Sequence, residues 1–219
     1  RPPRPVPFSG GGGKTSPPSI WVHDSDSQIA FQLAFRVPGR NDRQHLNLRM
    51  LRRILSWGAS SRLIYRLREE LGLVYSVEAG VTLLEESGAF TVDLATSPEN
   101  LIQAVREVLK IIEDIRQKPV SEEELERSVR NGLFALEFSR DLTDEMLTRF
   151  GWGELIGYLR TFEEDRRDMS ASNRDILRQC AREAFAPDTL RAVIVGPYRE
   201  KDRRAVEKLF AEFATSESP

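Results

Sequence analysis

Apolar residues recur along the chain in two rhythms, one of period two and one of helical period, and the switches between them mark out the elements. QIAFQLAFRVPG (28–39) alternates and predicts a strand, with SIWVHD (19–24) a shorter one before it. In DRQHLNLRMLRRILSWG (42–58) the apolar residues at 48, 51, 54 and 55 fall on one helical face, and Gly58 stops the run. A second helix is predicted over 60–71, then strands over 73–84 and 89–96 with EESG as the turn between them. SPENLIQAVREVLKIIEDIRQ predicts a helix with Ser97 as N-cap and Pro98 at its first position. SEEELERSVRNGLFALEF opens the next on a capping box, Ser121 with Glu124. Helices over 143–158 and 171–185, the strand TLRAVIVGP (189–197) and a charged helix over 200–213 complete the order β-β-α-α-β-β-α-α-α-α-β-α. Hairpin-linked strands mixed with helical blocks predict an α+β fold, a largely antiparallel sheet with helices packed on one face.

That patterned stretch, residues 19–213, reads as one domain, preceded by a flexible Pro/Gly-rich linker (1–18) and followed by a tail (214–219). GGGGKT within the linker imitates the end of a phosphate-binding loop. That loop needs a glycine five residues before Gly13, where Phe8 stands, and a strand ahead of it, so the imitation fails. Pro2 and Pro5 have the spacing of a polyproline ligand, but a plain linker accounts for them. The chain begins at Arg1 and reads as a piece cut from something longer, which leaves its compartment open between cytoplasm and periplasm.

Composition narrows the partners. Lysine and arginine number 32 against 34 acids, a net charge of −2, so there is no global basic field to attract nucleic acid. No apolar run reaches the ~20 residues of a membrane span. Cys180 is the single cysteine and sits at helical spacing with Ile176, Leu177 and Ala184, as a buried small apolar residue would.

The candidate chemistry lies at one corner, SRLIYRLREELGLVYSVEAG (61–80). Leu63, Ile64, Leu67 and Leu71 form an apolar stripe, Arg68 stands on its shoulder, and Gly72 suits the left-handed residue that ends a helix, with Leu73 folding back on Leu67. Glu69 and Glu70 occupy a helix end that disfavours anions, and Arg66 four residues before Glu70 offers compensation worth about 0.2–0.5 kcal/mol. In the strand that follows, Leu73, Tyr75 and Val77 are expected to share a face, which brings the Arg68 guanidinium and Tyr75 hydroxyl to one end of the sheet. Several donors with no strong acceptor suit a peptide carbonyl or a carboxylate. A packed Tyr75 and a capping Arg68 would explain the same spacing.

WGASSRLIYRLREELGLVYSVEAG resembles a segment in the C-terminal, non-catalytic half of pitrilysin- and insulinase-type zinc metallopeptidases, relatives of mitochondrial processing peptidase and of the core subunits of ubiquinol–cytochrome c reductase. Ser60, Ser61, Arg62 and Leu63, then Arg68, Glu69, Gly72, Leu73, Tyr75, Ser76 and Val77 carry it, with Arg68 and Tyr75 at the family spacing of seven. TSPEN, PVSEEELERS and FAPDTLRAVIVGP follow in the family's order, so the likeness runs from about residue 19 to 213. It implies the non-catalytic half of a zinc metalloendopeptidase, closing like a clamshell against a catalytic half in the same polypeptide or a partner subunit. Zinc is expected in that other half, on an inverted His-x-x-Glu-His motif. Arg68 and Tyr75 would then be substrate-binding residues that hold an extended peptide.

No catalytic residue and no metal ligand is assigned to this chain. His23 lies in a short strand, and the positions three and four beyond His45 are Leu48 and Arg49, which supply neither a glutamate base nor a second ligand. The apolar area of half a clamshell calls for a mate, the catalytic half or a second copy. A scaffold subunit that kept the fold and lost the chemistry is the alternative.

Overall fold

A computed structural model describes residues 19–42 and 44–215. The linker reading of residues 1–18, with its two motifs, lies outside them, as do the last four residues of the tail.

Five strands, β1 (Ser19–His23), β2 (Ile29–Pro38), β3 (Val74–Leu83), β4 (Ser87–Thr96) and β5 (Leu190–Gly196), form one sheet in the order β1-β5-β2-β4-β3. Only the β1–β5 pair is parallel. The alternation read in β2 is realised: Ile29, Phe31, Leu33, Phe35 and Val37 point into the core, while Gln32 and Arg36 point out. Helices cover the inward face. Phe35 meets Phe185 edge-on at 5.2 Å and Phe90 meets it at 4.8 Å, while Phe31 stacks on Phe210. Each such ring contributes roughly 1.5–3 kcal/mol by leaving water.

The helical layer comprises α1 (His45–Ser56), a π-helical segment π1 (Ile64–Glu70), α2 (Leu101–Gln117), α3 (Glu122–Ser139), α4 (Thr143–Met146), π2 (Leu147–Trp152), α5 (Gly153–Leu155), α6 (Phe162–Ser170), α7 (Arg174–Ala184) and α8 (Glu200–Thr215). The capping box of α3 forms on both sides, Glu124 N–H to Ser121 Oγ at 3.1 Å and Ser121 N–H to Glu124 Oε2 at 2.9 Å. Several elements differ from the sequence reading, among them the single helix expected over 143–158, which is divided into α4, π2 and α5. Helix α2 begins at Leu101, because Ser97–Asn100 closes a turn of its own through Asn100 N–H to the Ser97 carbonyl. Strand β4 begins at Ser87, so Leu84–Glu86 makes the hairpin turn. Helix α6 was not anticipated at all, although Thr161 and Glu164 form a capping box that TFEE advertises.

Cys180 is buried on α7, and burial pushes its thiol up to about 12, as befits a packing residue. No helix among the described residues is long and apolar enough to cross a membrane.

Candidate functional site

The corner begins at Gly58, whose φ of +84° turns the chain out of α1. Ser61 then closes the turn by donating both its N–H and its hydroxyl to the Gly58 carbonyl. The next turns are wider than an α-helix: Leu71 N–H donates to the carbonyl of Arg66, five residues back. Gly72 has the expected left-handed φ of +57°, and Leu73 folds back so that its N–H reaches the Leu67 carbonyl at 2.8 Å. That closure spans one residue more than the Schellman cap the sequence suggests, because the turn it closes is itself π-type.

The strand corrects one expectation. Val74 pairs with Thr96 and Ser76 with the adjacent Ala95, so Tyr75 is the extra residue of a β-bulge and has no partner across the ladder. Leu73, Val74 and Val77 are buried, whereas Tyr75 and Ser76 both face solvent. Tyr75 therefore does not share the face of Leu73 and Val77. Packing two consecutive apolar residues, Leu73 and Val74, uses up the alternation, and the bulge absorbs the mismatch by turning the phenol outward. Buried Thr96 fixes the bulge, donating its hydroxyl to the Leu73 carbonyl at 2.6 Å.

Arg68 and Tyr75 thus emerge from consecutive irregularities, a π turn and a bulge, on either side of Gly72. Tyr75 is 63% exposed. The Arg68 side chain is 59% exposed and has only a loose contact, Nε to Glu69 at 3.8 Å. No hydrogen bond joins the two, so both sets of donors face solvent.

The two arginines before Arg68, Arg62 and Arg66, are held quite differently. Arg62 forks onto Glu124, with Nε to Oε1 at 2.6 Å and Nη2 to Oε2 at 2.9 Å, and reaches Asp114 with Nη1 at 3.0 Å. Burial alone would raise the Glu124 carboxyl, but the hydrogen bonds from Arg62 and from the Ser121 cap outweigh it and hold it at about 2. Arg66 bonds Glu107 at 2.8 Å and pairs with Glu70 at 2.9 Å, the compensation anticipated for that acid. Arg66 thus fastens π1 to α2, and Arg62 just ahead of it reaches both α2 and α3.

Beside the corner, the outward face of the sheet carries small side chains. The row that ends at Ser76 continues through Ala95 and Ala30 to Val195. In the next row the Gln32 amide donates to Asp93, which also accepts from Thr91. The outer edge of β3 is closed at its middle, where Ser56 Oγ accepts the Ala79 N–H at 2.8 Å. The edge and outward face of the sheet are therefore open at the Tyr75 end.

Neither histidine builds a metal site. His23 lies at the end of β1 beside Tyr198. His45 is buried, its Nδ1 lies 3.0 Å from the Asp42 carbonyl, and burial together with the cations of Arg160 and Arg49 lowers its proton affinity. Among the described residues no cluster of three or more His, Cys, Asp or Glu could hold a metal ion, so the donor set does not fit zinc. Sequence reasoning missed the surroundings of His45: Tyr158 stands edge-on to it at 5.8 Å, and Arg160 shares the same cavity. These residues lie more than a hundred positions away, and no local pattern points to them.

Comparison with known proteins gives a consistent result. The family described as peptidase M16 inactive domain matches residues 2–131. An uncharacterized zinc protease of Mycobacterium bovis is 30% identical over 205 residues, which cover 90% of this chain and 46% of that protein. The chain spans less than half the length of the curated relatives it matches. A peptidase M16 inactive domain from Pseudomonas fluorescens superposes with a TM-score of 0.74 at 20% identity, covering 82% of this chain and 43% of that one. A chain of Complex III2 from Candida albicans gives 0.76 at 13% identity, covering 89% and 49%. Likenesses at these identities show the fold alone.

Proposed function

This chain belongs to the M16 peptidase family as an inactive half, and we propose that it binds extended peptide and closes a chamber against a zinc-bearing catalytic half. The reading rests on one observation: two exposed groups rich in donors, Arg68 and Tyr75, sit on consecutive backbone irregularities at the mouth of a small-residue sheet face. The guanidinium and phenol can donate to a substrate carbonyl or terminal carboxylate, and a hydrogen bond involving the charged group is worth about 1.5–3 kcal/mol. Small side chains from Ser76 to Val195 let a main chain approach the sheet closely. Zinc, on this reading, belongs to the other half, as the similarity to zinc proteases supports. This chain supplies positioning and enclosure, and is inactive alone.

The test uses the full-length protein, or this chain with its catalytic partner. Arg68→Ala should lower kcat/KM on a fluorogenic peptide about 10- to 100-fold and Tyr75→Phe about 2- to 10-fold, while the zinc content of the assembly stays the same. Unchanged kcat/KM in both variants overturns the assignment.

A second reading, a scaffold subunit without peptidase function, is favoured by the fold likeness to a chain of the respiratory complex. It predicts a partner without zinc ligands and no effect of either substitution on peptide affinity.

A further inference from the structure

The helical side of the molecule carries a groove that involves neither Arg68 nor Tyr75. It runs between α1 and the C-terminal half of α3, with a volume of about 410 Å³. One wall is aromatic and unexpectedly bare. Phe134 and Phe138, one helical turn apart, stack on each other at 6.5 Å and are 72% and 58% exposed, and Trp57 across the groove is 51% exposed. An exposed apolar patch of this kind marks an interaction surface more often than chance.

The other wall is cationic. Arg49 and Arg53, one turn apart on α1, have no carboxylate partner among the described residues, although most neighbouring arginines do. Arg53 is half-buried, and its Nε–H is shielded from solvent without an acceptor. Arg149 and Asp165 neutralise each other, and Glu145 offsets one of the two free charges, so the lining stays net positive. Past Arg49 the groove runs into a cavity of about 230 Å³ where His45, 6% exposed, presents a buried Nε2 with no partner, and the Tyr158 hydroxyl is likewise unpaired. Buried donors and acceptors left unmatched cost about 1–3 kcal/mol each, so this surface gains by being covered with matching groups.

We propose that this groove is a docking site for a polypeptide segment that combines acidic with aromatic or aliphatic side chains. Carboxylates would pair with Arg49 and Arg53 while apolar side chains lie against Phe134, Phe138 and Trp57, the helix-in-groove mode of recognition. Charge selects this occupant over the chain's own leader, whose RPPRP carries the same sign as the groove.

The test titrates the full-length protein with two fluorescein-labelled helical peptides, one bearing Glu and Leu/Phe on opposite faces, the other with every Glu replaced by Lys. The acidic peptide should bind at least about tenfold more tightly, and Arg49→Glu with Arg53→Glu should abolish the difference. Phe134→Ala with Phe138→Ala should weaken both peptides while leaving thermal stability intact, since both rings are exposed. If reversal at half-buried Arg53 unfolds the protein, Arg49→Glu alone, at an exposed site, carries the same comparison. Equal affinity for the two peptides, or no saturation below millimolar concentration, overturns the proposal. So does a self-association that both double variants abolish, which would give the groove to a second copy.

Discussion

Arg62 and Arg68 stand six residues apart on one stretch of helix and are used in opposite ways. Arg62 is 18% exposed and spends its fork on Glu124 and Asp114, joining the residues just ahead of π1 to α2 and α3. Arg68 is 59% exposed, touches Glu69 loosely, and stabilises nothing that can be named. A partly buried, bidentate pair fixes a fold, whereas an exposed ion pair contributes about 0–1 kcal/mol at most. The difference separates scaffold from candidate site within a single motif: the early arginine is held by carboxylates, while the late one and Tyr75 face outward.

Breaking the scaffold arginine should have the largest effect on stability. Arg62→Ala leaves Glu124 partly buried without its counter-ion and is expected to cost about 2–4 kcal/mol. Calorimetry should show the melting temperature falling by about 5–10 °C in a chain of this length; a loss no larger than that of Arg68→Ala would erase the contrast. The same pair makes stability pH-dependent. The Glu124 carboxyl sits at about 2 when folded, below its ordinary value of 4.5, so its contribution is present above pH 4.5 and is lost as pH falls towards 2. The urea midpoint of the wild type should therefore drop between pH 5 and pH 3 by more than that of Arg62→Ala.

Gly72 probes the joint between the two arginines' territories. Its φ of +57° leaves free space around a new Cβ, so Gly72→Ala meets only backbone strain, about 1–2 kcal/mol, by chemical denaturation. Smallest of all on stability are Arg68→Ala and Tyr75→Phe, expected within about 0.5 kcal/mol of wild type because both side chains are solvent-exposed. A larger loss in either would move it into the scaffold.

Much of this was legible in the residues. Period-two alternation located β2, and the capping box located α3. The stop at Gly72 followed from a glycine after an apolar stripe, and the compensation of Glu70 from an arginine four residues earlier. The orientation of Tyr75 was not legible, since a single inserted residue leaves the alternation Leu73–Tyr75–Val77 intact on paper while the bulge turns the phenol over. The fork of Arg62 was also out of reach: its partners lie 52 and 62 residues away, a separation that only the folded chain closes. The groove beside α1 was hidden for the same reason, because nothing local to Arg49 and Arg53 shows that α3 packs beside them.

The measurement that bears most directly on the central claim is a double-mutant cycle on kcat/KM in the assembled peptidase, using Arg68→Ala, Tyr75→Phe and their combination. If both groups grip the same stretch of peptide main chain, their losses should fall short of additivity by about 0.5–3 kcal/mol, the coupling of residues that share a partner. Losses that add to within about 0.3–0.5 kcal/mol, or no loss in any of the three variants, would contradict it.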